Sequence, residues 1–196
     1  MKKCNKEKIL LIGGGGHCES VIDVIESEGK YEIFGVLDKN EDKKNLMGYD
    51  FLGSDNKLHS LIKKVSNAFV TVGQIRSPND RIRLFNDLKK FGFNLPVIVS
   101  PYAHVSRHAK IDEGTIVMHQ AMINAGSIIG PNCIINSKAL VEHGCNIGGH
   151  CHISTGAILN GGVEVEEKTF IGSNAIIVES AHINSDSFIK AGSLIK

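Results

Sequence analysis

The sequence predicts a chain in two parts: a small α/β domain over residues 1–100, then a parallel β-helix of about five coils over residues 101–196. Three observations predict it. Strand-like and helix-like apolar patterns alternate as far as Val99, which implies a small parallel sheet covered by helices. The pattern breaks at Ser100-Pro101. From there an aliphatic residue returns at every sixth position, the period of a parallel β-helix.

In the first part, Lys8 to Ile12 is an apolar run ending in four glycines, and reads as a buried strand. His17 to Gly29 sets Val21, Val24 and Ile25 on one helical face and stops at a glycine. Glu32 to Leu37 is a second strand, ending at Asp38-Lys39. Ser54-Asp55 can cap a helix carrying Leu58, Leu61, Ile62 and Val65. Ala68 to Val72 reads as a strand ending at Gly73, Asn79 to Phe91 as a helix, and Leu95 to Val99 as the last strand.

In the second part the aliphatic positions run from Val105 and Ile111 through Val141, Ile147 and Ile153 to Ile189 and Ile195, sixteen hexads without an insertion. A helix face cannot carry this pattern, because six is not a multiple of 3.6. Two residues before each aliphatic position stands a residue that is usually small, such as Ala139, Cys145 or Cys151. The physical reading is a triangular prism: one hexad per flat side and three per coil, with the aliphatic residue inside and the small one near a corner.

Composition narrows the function. Twenty-two Lys and Arg against 21 Asp and Glu leave a net charge of +1, too little to draw nucleic acid or an anionic membrane. No run approaches the ~20 apolar residues of a membrane span. The short apolar run after the basic start is too brief for a signal-peptide core. Five cysteines, an odd number, argue for reduced thiols and a cytoplasmic protein.

Two constellations can carry chemistry. Gly13-Gly14-Gly15-Gly16-His17 lies between a strand and a helix, where backbone N–H groups can meet a phosphate. Asp38 ends the next strand, where an acid could hold a ribose or a base. Cys18 stands where a dinucleotide fingerprint has its third glycine. A tight turn without a ligand, a nucleotide-diphosphate site and a hydride-transfer site all remain open on the residues alone. The second constellation is Glu142-His143-Gly144-Cys145 with His150-Cys151-His152. Cysteines and histidines so close invite a zinc reading. The register opposes it: Cys145 and Cys151 take inward positions, while His150 and His152 flank Cys151 and point outward. No metal is expected. His143, near the middle of the stack, is either a solvated surface residue or a base.

Gly15-Gly16-His17, Leu37-Asp38, Val72-Gly73, Glu142-His143 and His152-Ile153-Ser154, in this order and with the hexads, resemble one family across essentially the whole chain. It is that of the bacterial sugar acetyltransferases of the PglD and NeuD types. They join a Rossmann-like nucleotide-sugar-binding domain to a left-handed β-helix of hexapeptide repeats. The resemblance implies a homotrimer with acetyl-CoA, the co-substrate, between adjacent prisms. It makes His143 the catalytic base, sets His152 and Gly161 against acetyl-CoA, and sets Gly16, His17, Asp38, Lys39 and Gly73 around the nucleotide-sugar. Gly144 replaces the glutamate that follows the base in the PglD type, and Ala191 replaces a glycine near the cofactor. The expected activity is N-acetylation of a nucleotide-linked 4-amino sugar. O-acetylation of a sialic-acid-type sugar and a non-catalytic sugar-binding module are the alternatives. Direct transfer needs an imidazole-like base and amide donors for an oxyanion, which a β-helix edge can offer.

Overall fold

The computed structural model describes residues 6–40, 42 and 44–196. It divides into two compact units, one of residues up to Gly73 with Arg83–Pro96, the other of Gln74–Ile82 with Val97–Lys196.

In the α/β unit, β1 (Glu7–Ile12) pairs in parallel with β2 (Tyr31–Leu37) on one side and β5 (Asn67–Val70) on the other. Between β1 and β2 runs α1 (Gly16–Glu28), which buries Cys18, Val21, Ile22, Val24 and Ile25. Its end is the expected one: Gly29 takes a left-handed conformation (φ 71°) and returns its N–H to the Ile25 carbonyl. The sheet is mixed rather than purely parallel. Beyond β2 lie β3 (Asn45–Leu46) and β4 (Tyr49–Gly53), an antiparallel hairpin whose second strand runs parallel to β2. The helix expected after Ser54 shrinks to a 3₁₀ turn (Asp55–Lys57) and α2 (Leu58–Leu61). Ser54 supplies no side-chain cap; the segment is held by the burial of Leu58, Leu61 and Val65 and by hydrogen bonds such as Lys57 Nζ to the Leu52 carbonyl. The helix α3 (Asn79–Phe91) forms as expected, and its Leu84, Phe85 and Leu88 join the core.

The last strand of the expected sheet belongs elsewhere. Ile98–Val99 (β6) pairs with Ile116–Val117, eighteen residues on, as the first rung of the prism. Val99 stands six residues before Val105, so the hexad frame already reaches it. Two-residue rungs follow every six residues to Leu194–Ile195 and stack into three parallel sheets of six, five and six strands. The inward aliphatic residues from Val117 to Ile183 form one continuous core. Polar small residues inside are satisfied by the coil above: Thr115, Ser127 and Thr169 donate to the carbonyls of Gly130, Glu142 and Asn184. From Gly114 to Gly192 each turn is made by one residue of positive φ, and these recur six apart, as at Gly144, His150, Gly156 and Gly162. His150 therefore sits on a corner rather than in the extended side where its sequence position had set it.

Candidate active site

In the α/β unit the glycine loop leaves β1 at the carboxyl end of the sheet. The chain has moved from β1 to β2 on one side and to β5 on the other, so this is the switch point where open α/β sheets take ligands. The four glycines are not equivalent. A Cβ on Gly13 or Gly14 would strike Val72 or Phe51 at 2.4 Å, whereas Cβ atoms on Gly15 or Gly16 would meet nothing within 4 Å. Gly15 and Gly16 thus present bare backbone, at the positive end of a thirteen-residue helix, to open space. Beside them, His17 lies across from Gly73, whose added Cβ would touch the His17 Cβ at 3.5 Å. Asp38 braces the loop: one carboxylate oxygen accepts the Gly14 N–H at 2.7 Å, the other the Asn40 N–H at 2.8 Å. Lys39 is exposed next to it. The structure therefore gathers Gly16, His17, Asp38, Lys39 and Gly73 at one end of one sheet.

In the prism, His143 and His152 are nine residues apart in an eighteen-residue coil. One stands at a corner and the other on the opposite side, so a single prism does not bring them together. His143 occupies the turn between rungs Leu140–Val141 and Asn146–Ile147 and is exposed. Its ring nitrogens make no hydrogen bond among the described residues. Its ring lies over Gly161, the residue one coil above: a Cβ there would come to 2.6 Å from the imidazole Cε1 and 2.8 Å from Nε2. The Glu142 carboxylate beside it accepts from Asn124 Nδ2 at 2.8 Å and from the His143 N–H.

His152 is the opposite case. It points away from the prism axis, as expected, yet is only 6% exposed. Its Nδ1 donates to the Gln74 carbonyl at 2.5 Å, and Asn136 Nδ2 donates to its Nε2 at 3.1 Å. Phe170, one coil above, meets its ring edge-on at 5.2 Å. Burial, with Arg81 nearby, pushes its pKa down to about 4. Its partners were missed in the sequence. Phe170 was legible as His152 plus eighteen, but Gln74 and Asn136 carry no pattern of their own. Arg81, fully buried, donates Nε to the Asn132 carbonyl and is held by burial at a pKa of about 10. Asn132 in turn donates to Nδ1 of His150, whose pKa burial also lowers.

The thiols do not converge with these histidines. Cys133, Cys145 and Cys151 lie inside the prism, where the Cys145 and Cys151 Sγ atoms donate to the carbonyls of Asn160 and Glu166. Cys4 lies outside the described residues. Among those residues, no helix is long and apolar enough to cross a membrane.

Residues 8–88 match the family described as the PglD N-terminal domain. PerB from Caulobacter crescentus, solved in complex with CoA and GDP-perosamine, is 32% identical, with 96% of this chain and 88% of that one covered and a TM-score of 0.91. The chain belongs to the PglD-type sugar acetyltransferases of the hexapeptide-repeat superfamily. The acetyltransferase domain of PglB from Neisseria gonorrhoeae, solved with acetyl coenzyme A, is 28% identical over 97% of this chain and 93% of that one, with a TM-score of 0.87. WeeI from Acinetobacter baumannii, at 16% identity and a TM-score of 0.55, shares the fold. Comparison with curated proteins finds no match. As a PglD-type enzyme the chain is an acetyl-CoA-dependent acetyltransferase, and its parallel β-helix is of the left-handed kind.

Proposed function

We propose that this enzyme transfers acetyl from acetyl-CoA to the amino group of a sugar carried on a nucleoside diphosphate, in bacterial surface glycan biosynthesis. The α/β domain takes the nucleotide: the bare backbone of Gly15 and Gly16 and the start of α1 face the diphosphate, with His17, Asp38, Lys39 and Gly73 around the rest. PerB, which binds GDP-perosamine, supports an amino-sugar acceptor.

One observation carries the assignment of the base. Of the two histidines, His143 offers free ring nitrogens, while both nitrogens of His152 are already committed. The sugar amine attacks the thioester carbonyl, and His143 accepts the proton that the amine sheds. Collapse of the tetrahedral intermediate breaks the C–S bond, and the imidazolium returns its proton to the departing thiolate. His152, neutral and fixed, suits a wall beside the acetyl-CoA thioester rather than a proton carrier; Gly161 lies beside the pantetheine arm.

The separation of His143 from His152 in one prism supports a homotrimer, in which a neighbouring copy supplies the missing half of the cleft. One prism face also presents an outward apolar ladder of Met122, Leu140, Ile158, Ile176 and Leu194, with Leu194 57% exposed. Such a stripe is suited to burial against another copy. Cys18, Cys133, Cys145 and Cys151, free thiols among the described residues, fit a reducing cytoplasm.

The test is release of CoA thiol with UDP-, GDP- and dTDP-linked amino sugars beside free sialic acids. Release is expected with a nucleotide-linked amino sugar, and His143→Ala is expected to lower kcat by about 10² or more, with the melting temperature unchanged. His152→Ala is expected to raise the KM for acetyl-CoA. Undiminished turnover in His143→Ala would remove the base assignment, and preference for a free sialic acid would move the enzyme to O-transfer.

A further inference from the structure

Gly161 is drawn to acetyl-CoA by resemblance, but the structure gives it a second task. It stands eighteen residues after His143, at the same corner one coil higher, and the Gly162 N–H donates to the His143 carbonyl at 2.9 Å. The imidazole does not extend straight into solvent. It folds across the upper coil, and its atoms occupy the volume a side chain at residue 161 would need: an added Cβ would come within 2.6 Å of Cε1, 2.8 Å of Nε2 and 3.3 Å of Nδ1. All three distances run to one ring, so the ring and a Cβ exclude each other.

The two flanking residues give the ring no hydrogen bond. The Glu142 carboxylate is held by Asn124 and by the His143 backbone N–H, and the ring nitrogens are free of hydrogen bonds among the described residues. Gly144 occupies the left-handed corner (φ 69°), so it offers the ring no side chain. The bare backbone at Gly161 lies against the ring and is placed to set its plane.

We propose that Gly161 is the positioning residue for His143: its bare Cα is the seat on which the imidazole lies, and this seat aims the ring at the acceptor amine. The proposal rests on His143 being the base. Gly161 itself does not need glycine for its backbone, since its φ lies outside the left-handed range that the structure's positive-φ glycines occupy. An alanine there keeps the coil and displaces only the ring. A misplacement of about 1 Å in a reacting group can cost on the order of 10²-fold in rate.

The experiment is a double-mutant cycle on the intact enzyme with Gly161→Ala, His143→Ala and the pair, measured with and without added imidazole. At saturating acetyl-CoA, Gly161→Ala is expected to lower kcat about 10- to 100-fold and to shift the pH profile of kcat, apart from any rise in the KM for acetyl-CoA. In the His143→Ala background, where no ring remains to be displaced, Gly161→Ala is expected to cost nothing further in imidazole-rescued turnover. Melting temperature and light scattering check that fold and assembly persist. Equal losses in the two backgrounds, or a loss confined to acetyl-CoA KM, overturn the proposal and leave Gly161 as a wall of the cofactor cleft. If His143→Ala turns over like wild type, the base assignment falls first and the proposal with it.

Discussion

His143 and His152 share one coil and differ in everything that decides what an imidazole can do. The ring of His143 is exposed and makes no hydrogen bond among the described residues, whereas His152 is buried with both nitrogens engaged, and burial disfavours its charged form. A folded-state pKa of about 4 for His152, against 6.5 in the unfolded chain, has a definite sign. Between those two values the unfolded chain binds a proton that the folded chain refuses, so stability falls as pH falls through the window and levels off below it. From pH 7.5 to 5 the loss from this group is about 2 kcal/mol. His182 works the other way. Its hydrogen bond to Glu164, and then to Glu166, raises its pKa, which favours the folded state below pH 6.5 and is lost as pH rises through the raised value. That cluster is fully exposed, so solvent and salt screen it. Urea unfolding at the two pH values, in wild type and His152→Gln, is expected to show the extra acid loss only in wild type; equal losses would refute this account. The two histidines were visible in the sequence, as was the inward aim of the cysteines between them. The burial of His152 was not, because Gln74 and Asn136 that close over its nitrogens stand 78 and 16 residues away. Arg81 was equally hidden, since an arginine in an amphipathic helix reads as part of its wet face.

Among the elements, the rungs were the most legible, because the hexad repeats one packing problem and each repetition confirms the last. Inward positions from Val117 to Ile183 are buried without exception. The frame reaches back to Val99, but this rung lies within an apolar run that reads equally well as a sheet strand. The hairpin of β3 and β4 is not legible because β3 has two residues, too few for a period. Glycines illustrate how elements differ in what they tolerate. A Cβ on Gly148 would sit 2.6 Å from the Glu167 backbone nitrogen of the next coil, whereas one on Gly15 meets nothing. Gly148→Ala is therefore expected to force two coils apart and cost about 1–3 kcal/mol, read as a drop in melting temperature. Gly15→Val is expected to leave the melt unchanged and raise the acceptor KM, with acetyl-CoA affinity intact. If Gly15→Val weakens both substrates alike, the nucleotide does not approach that loop.

For the molecule as a whole, the two-part organisation was legible but its seam was not simple. Residues 74–82 leave the α/β unit and count with the prism, then α3 carries the chain back. A composition or period change cannot signal such an excursion, because the segment is short and has neither. Assembly belongs to this scale too. A trimer of three 21.2 kDa chains, about 64 kDa, is expected in solution. Ile176→Glu, which puts a charge in the middle of the apolar ladder, is expected to yield monomers that keep their fold by circular dichroism and lose turnover. A wild-type monomer at micromolar concentration in light scattering would defeat the proposal.

The unbroken eighteen-residue coil also makes the second half of this chain a reading frame in space. Every residue has an address given by its column and its storey, and His143, Gly161 and Glu179 share a column only because nothing has been inserted between them. One residue added after Leu159 would leave the code downstream intact and still move every later side chain to the wrong address: Gly161 from beneath the imidazole, and each inward aliphatic residue toward water. Eighteen residues added together would restore every column and merely raise the storeys above. An insertion inside such a prism keeps every column only in whole turns, so a lineage that lengthens its interior should do so in steps of eighteen, or by bulging loops at the corners, where the frame resumes after the excursion.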